Sequence, residues 1–338
     1  MQYKSIFITG GAGYCGSRLV PQLLKLGYKV TVYDLMLFGN DFLPKDNKNL
    51  EIIKGDIRDI EKLRIASKNH DVFLNLACIS NDASFILNEK LSTSINMDAF
   101  EPMVLAAKKN GVKLFIYASS SSVYGISSKK NVTEEHELVP ITLYNKYKGL
   151  CEPILKNNID KNFNAVIFRP ATVCGYAPRQ RLDLSVNILT NHAINKSKIT
   201  VFGGDQLRPN LHIQDYCDVI KLFLDSDRNI INNETFNVGY QNMSILEIAK
   251  IVKKVVEKEF NIENLEILRT KSDDDRSYHI NSDKIKNILN FQPKFSIEDS
   301  VKELCKYFKQ NYFPNSFEDP IYHNVKQTNE LFNREYVK

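Results

Sequence analysis

Thr9-Gly10-Gly11-Ala12-Gly13-Tyr14-Cys15-Gly16 stands between an apolar run, Ser5–Thr9, and an amphipathic stretch at residues 17–26. The apolar run reads as a strand and the stretch after it as a helix. Gly10 then allows a tight turn, Gly13 lets backbone approach a pyrophosphate, and Gly16 lets helix pack close to strand. The free N–H groups and positive dipole end of that helix suit a phosphate. Asp34 ends the next apolar run, eighteen residues beyond Gly16. A carboxylate there accepts hydrogen bonds from a ribose diol and repels a 2′-phosphate, and no arginine adjoins it. The pattern favours NAD over NADP.

Outward from this motif the same rhythm continues. Residues 29–33, 51–54, 72–76, 114–118 and 165–168 read as further strands, with helical patterns at 60–67, 94–110 and 143–156 between them. Alternation of this kind predicts an α/β fold, a doubly wound parallel sheet. Pro102 and Pro153 interrupt two helical patterns, which calls for a kink or a helix start. After about residue 170 the rhythm loosens, with helical patterns at 184–195, 213–225 and 246–259 and strands at 200–202, 234–238 and 265–268. The expected division is a nucleotide-binding domain over 1–170, a smaller α+β substrate lobe mainly over 171–310, and a tail, 311–338, without clear periodicity.

Bulk properties exclude several classes. The 338 residues, 43% hydrophobic and 25% charged, have the composition of an ordinary globular protein. The net charge of +5 is spread along the chain with no basic stripe, so nucleic acid has little support as a partner. The six cysteines (15, 78, 151, 174, 217, 305) are scattered, and neither they nor the six histidines show metal-ligand spacing. Reduced thiols and no metal are expected. The N-terminus runs straight into the glycines as a core strand, not a signal peptide. No apolar run reaches the ~18 residues that span a bilayer. These features together favour a cytoplasmic protein.

Tyr144 and Lys148 lie four residues apart, one turn of the helical pattern at 143–156. A phenol with a pKa of about 10 is a poor base at neutral pH, and a neighbouring ammonium favours its phenolate. A serine run, Ser119 to Ser122, precedes the pair and could orient a substrate alcohol. Tyr322 and Lys326 repeat the spacing without a serine-bearing strand before them, and read as a surface pair.

Taken together, TGGAGYCG at 9–16, Asp34, Gly55-Asp56-Ile57, Asn75-Leu76-Ala77, Asn96, 119–125, Tyr144xxxLys148, 204–215 and 275–278 give a chain that resembles the extended short-chain dehydrogenases/reductases of the nucleotide-sugar epimerase/dehydratase family. The resemblance implies NAD as cofactor and a nucleotide-diphosphate sugar as substrate. It implies adenine contacts at Asp56 and Ile57, a cleft lined by Ala77, and a helix braced by Asn96, which also suits an ordinary helix cap. Ser120 falls at the family's catalytic hydroxyl, in contact with substrate, Tyr144 at its base, also in contact with the cofactor, and Lys148 at the group that binds the nicotinamide ribose. Arg208 falls where the family holds the substrate diphosphate, and Arg276 where another arginine contacts phosphate or ribose, although an exposed arginine fits Arg276 equally. Ser80, Asn81, Ser121, Thr172 and Arg181 are further substrate candidates, and a plain loop also explains Ser80 and Asn81. Arg179, Arg181 and Asp183 form a polar cluster that could reach the substrate. Dehydratases of the family carry an acidic pair where Ser121 and Ser122 stand, so 4,6-dehydration is not expected. Epimerisation through oxidation at sugar C4 is the first expectation. A 4-dehydrogenase or ketoreductase comes next, and a non-catalytic NAD-binding protein last. The family also implies a homodimer formed by helices near 95–110 and 143–157.

Overall fold

The computed structural model describes residues 2–127, 131–271, 277 and 279–333. In chain order its strands are β1 (Ser5–Thr9), β2 (Lys29–Asp34), β3 (Leu50–Lys54), β4 (Val72–Asn75), β5 (Leu114–Ala118), β6 (Asn164–Pro170), β7 (Thr172–Cys174), β8 (Lys198–Phe202), β9 (Leu207–His212), β10 (Glu234–Val238), β11 (Gln241–Ser244) and β12 (Glu266–Thr270). Seven of them form one sheet in the order β10-β6-β5-β4-β1-β2-β3. Every pairing in it is parallel. This is the doubly wound α/β arrangement, and the strand order reverses between β1 and β4, where such sheets open a crevice.

The central strands of the sheet are buried on both faces because apolar residues fill consecutive positions along them, as in Phe7–Ile8 of β1, Val72–Leu74 of β4 and Leu114–Ile116 of β5. Ile6 and Ile8 enter one core with Leu19, Val20 and Leu23 of the helix Tyr14–Lys25. Phe7 points the other way, with Phe73, Phe115 and the helix Phe100–Lys109. The alternation follows from the two-residue period of a strand. Phe73 and Phe115 stack at 4.9 Å and 6° on that second face. Each such ring contributes roughly 1.5–3 kcal/mol by burial.

The expected continuous helix at 94–110 is broken. Residues Ser94–Asp98 form a widened π turn, and a new helix starts at Phe100. Pro102 therefore lies in a first turn, where its missing N–H interrupts no bond. Pro153 sits inside the helix Leu143–Asn157 on its exposed side.

The smaller lobe is built differently. β9 pairs parallel with β7 and antiparallel with β11, and β8 pairs with β12. Helices Ser185–Lys196, Ile245–Phe260 and Ile297–Lys309 close around Val186, Ile199, Ile248, Val252 and Val301. One segment expected in this lobe returns to the main sheet. β10 pairs with β6, and the helix Ile213–Asp225 packs on the helix Tyr14–Lys25. The apolar residues of β10, Phe236 and Val238, complete the first core there. The tail also differs from its featureless sequence: it forms a turn at Pro320–Tyr322 and a helix at Asn324–Asn333.

Candidate active site

The glycine turn closes directly against the end of β4. Gly10 has φ +74°, and a Cβ there would lie 2.6 Å from the Ala77 amide nitrogen. A Cβ on Gly16 would lie 2.3 Å from the Gly11 carbonyl oxygen, so the helix start can touch the turn only through glycine. Thr9 Oγ1 donates to Asn75 Oδ1 at 2.7 Å and ties β1 to β4 at the reversal point. The helix Tyr14–Lys25 opens at Gly13 with no side-chain cap, which leaves its first-turn amides facing the crevice. Asp34 accepts from Ala12 N (3.0 Å) and Met36 N (2.8 Å). Burial raises its carboxyl pKa, opposed by those two amides and by the Arg179 charge.

At the other end of the crevice, the helix Leu143–Asn157 starts at Thr142, whose Oγ1 accepts from Asn145 N. Tyr144, Lys148 and Glu152 then follow one helical face. Lys148 is buried, and its Nζ donates to Ala118 O at 2.7 Å, at the end of β5. Beyond β5, Ser119 donates to Glu152 Oε1 at 2.6 Å. Arg169 clasps the same carboxylate through Nε (2.9 Å) and Nη2 (2.6 Å). Its Nη1 reaches Tyr124 Oη at 2.6 Å, and Tyr124 donates on to Asn237 Oδ1.

Ser120 and Ser122 are joined Oγ to Oγ at 2.7 Å, and Ser122 donates its proton to Asn145 Oδ1. A hydroxyl has one proton to give. Ser120 is therefore the donor in the serine pair, and its proton is turned toward Ser122 until another acceptor arrives. Ser121 is buried, and no carboxylate stands at either position.

The loop from the smaller lobe forms the opposite wall. Tyr14 Oη donates to Gly175 O at 2.7 Å, so Tyr14 fastens the two lobes. Arg181 pairs with Asp183 through Nε (2.8 Å) and Nη2 (3.1 Å), and its Nη1 lies 3.4 Å from Ser80 Oγ. Burial opposes its charge, but Asp183 and then Tyr144 outweigh burial and raise the guanidinium pKa. The tail helix begins here too: Asn324 donates from Nδ2 to Ser80 Oγ (2.6 Å) and from its backbone to Asp183 Oδ2 (2.9 Å).

One crevice is lined by Gly10, Gly13, Tyr14, Cys15, Gly16, Asp34, Ile57 and Ala77 at the glycine-turn end, and by Ser80, Asn81, Ser120, Ser121, Tyr144, Lys148, Thr172 and Arg181 beyond. Two expected residues stand apart. Asp56 does not line it, because its carboxylate is taken by Arg58 Nε (3.0 Å) and the Arg58 amide (2.8 Å). Arg208, on β9, bonds Leu207 O and also lies off the lining. Arg276 lies outside the described residues. Asn96 spans Ile79, accepting from its N–H (2.8 Å) and donating to its carbonyl (2.9 Å), so it braces the loop after β4 more than its own helix. Asn81 uses Oδ1 to cap Ser84 N. Tyr322 packs against Phe313 instead of lying free on the surface, and Lys326 bonds Phe317 O. Phe38, Asn145 and Asn324 also line the crevice, although no local motif marks them. Arg179 lines it too, within the influence of Arg181, Asp183 and Asp34. All six cysteines are free thiols, and no metal-holding cluster occurs among the described residues. No described helix is long and apolar enough to cross a membrane.

Comparison with known proteins agrees with this geometry. UDP-glucose 4-epimerase of Rhizobium meliloti (strain 1021) is 24% identical over 319 residues, covering 88% of this chain and 94% of the relative. The dTDP-D-glucose 4,6-dehydratase of Bos taurus is 26% identical over 331 residues, covering 91% and 90%. The solved UDP-glucose 4-epimerase of Thermotoga maritima, described with UDP-glucose, superposes with a TM-score of 0.81 at 24% identity, covering 91% of this chain and 99% of that one. A family model described as the NAD dependent epimerase/dehydratase family matches residues 6–239, and the chain belongs to that family.

Proposed function

We propose that the protein is an NAD-dependent nucleotide-sugar epimerase that works by transient oxidation at sugar C4. The observation that carries the proposal is the gathering of Tyr144, Lys148 and Ser120 in the crevice whose far end holds the glycine turn and Asp34. These residues fit a dinucleotide: Gly10, Gly13, Cys15 and Gly16 would hold its pyrophosphate, Asp34 the adenosine ribose, and Ile57 and Ala77 the base and cleft. Bound NAD⁺ supplies a hydride acceptor. Tyr144, as phenolate, takes the proton of the C4 hydroxyl as hydride leaves C4. Lys148 favours that phenolate and takes the nicotinamide ribose. Ser120 turns its proton from Ser122 to the oxygen as it becomes a carbonyl. Return of hydride to the other face of the ketone, with the proton handed back from Tyr144 to the C4 oxygen, would give the epimer. Ser80, Asn81, Ser121, Thr172 and Arg181, all on the lining, would contact the sugar nucleotide; a role for Arg208 or Arg276 at its diphosphate rests on the family resemblance alone.

Departure of the ketone would make the same groups a 4-dehydrogenase, and reduced cofactor would make them a ketoreductase. Asn324 and the Gln327 bond to Leu37 O bring the tail across the nucleotide end, which supports a retained cofactor and thus epimerisation. A purely structural NAD-binding role is disfavoured by the joint presence of all three reactive groups. Leu105 and Leu150, exposed on the helices Phe100–Lys109 and Leu143–Asn157, support a homodimer through those faces, which light scattering would test. A Tyr144→Phe variant that kept full turnover would overturn the catalytic assignment.

A further inference from the structure

Arg179 is 1% exposed, yet its guanidinium lines the crevice. Its face stacks on Phe38 at 3.4 Å, and Nη2 donates to Asn324 Oδ1 at 2.7 Å. Nε has no hydrogen-bond partner. The neighbouring carboxylates are already engaged: Asp183 is bidentate with Arg181, and Asp34 accepts two backbone amides. Burial, then the Arg181 charge, pull the Arg179 pKa from 12.5 to about 9, against Asp183 and Asp34, so the group stays charged at neutral pH. A buried cation with an idle donor costs free energy unless a ligand completes it.

Its position names the ligand. The Arg179 backbone N–H donates to Ser17 Oγ in the first turn of the helix Tyr14–Lys25, at 3.1 Å. Asp34, at the ribose end, and Tyr14, at the helix start, both act on its charge. Arg179 thus occupies the gap between the ribose carboxylate and the open helix amides, where the two phosphates of a dinucleotide run.

We propose that Arg179, held by Phe38 and Asn324, is a direct ligand of the cofactor's pyrophosphate, supplied from the substrate lobe and latched by the C-terminal tail. The assignment concerns dinucleotide binding and stands whichever product the sugar chemistry yields. It makes the tail part of the cofactor site: Asn324 orients the cation that meets the phosphates.

The test compares ADP with adenosine, by calorimetric titration of the full chain stripped of nucleotide. Arg179→Gln weakens ADP by about tenfold or more and leaves adenosine within about twofold, since only ADP carries the charged group that guanidinium would meet. Arg179→Lys keeps the charge without the fork and falls between. Asn324→Ala, which retains Arg179, weakens ADP in the same direction and spares adenosine. It serves as the deciding variant if circular dichroism shows that Arg179→Gln does not fold. Equal weakening of ADP and adenosine, or no change for either, overturns the proposal. Turnover is not read, so failure here leaves the epimerase reading intact.

Discussion

Ser119 donates its hydroxyl proton to Glu152 across 2.6 Å, joining the loop that carries Ser120 to the helix that carries Tyr144 and Lys148. Glu152 lies two turns beyond Tyr144 on the same face, and Arg169 holds it from β6. One buried carboxylate therefore helps set the relative placement of the hydroxyl and the phenol, beside the Ser122–Asn145 and Lys148–Ala118 bonds. Both partners of the ion pair are nearly dry, with side chains 6% and 5% exposed. Glu152→Ala leaves Arg169 charged and buried, and lowers unfolding stability by about 3–5 kcal/mol in urea denaturation. Stability loss below 1 kcal/mol would show that the pair is dispensable.

Tyr144→Phe removes the proton acceptor while leaving the ring. It lowers kcat by about 10²–10⁴. Dinucleotide binding, followed by calorimetry, stays unchanged. Lys148→Met weakens both, because Lys148 is assigned to the ribose as well as to the phenolate. A Tyr144→Phe variant that lost dinucleotide binding with kcat unchanged would leave the tyrosine a cofactor contact and not the base.

The serine chain gives its own expectation. Ser120→Ala removes the donor to the developing oxyanion, and lowers kcat by about 10²–10³. Ser122→Ala deletes the group that holds the Ser120 proton aside, and has the smaller effect on kcat. Steady-state kinetics rank the two, and a larger loss from Ser122→Ala would reverse their roles.

His192 makes acid stability testable. Burial, with the Lys196 charge beside it, depresses its pKa from 6.5 to about 4, and Nδ1 is buried without a partner. The unfolded chain therefore binds a proton that the folded chain refuses between those two values. This contribution to stability is full above about pH 6.5 and falls as pH drops toward about 4. His192→Phe flattens the decline of Tm over that window. An unchanged slope would assign the acid sensitivity elsewhere.

Much of the site is local, and so was legible in the chain. The turn Gly10–Gly16 needs only its own strand and helix, and Tyr144/Lys148 needs only one helix. Asp34 follows from the end of β2. What was hidden depends on distant segments meeting. Arg179 reaches Asn324 across 145 residues, and Gln327 reaches Leu37 across 290. Polar anchors such as Asn324 carry no periodicity, so the tail looked shapeless. β10 read as a strand, but nothing in its five residues states which sheet will accept it. The bend at Ser94–Asp98 follows from Asn96 gripping Ile79, a contact between elements. Asp56 has the expected residue type, and only the fold shows that Arg58 already occupies it.

Reversible oxidation at C4 without dehydration leaves a product distinct from every alternative. It is tested most directly by incubating the protein with UDP-, GDP-, CDP- and dTDP-sugars, reading NADH absorbance and product stereochemistry by NMR. A C4 epimer is expected from at least one sugar nucleotide, with no net NADH. A 4-keto-6-deoxy product, or a ketone released with matching NADH, would contradict it.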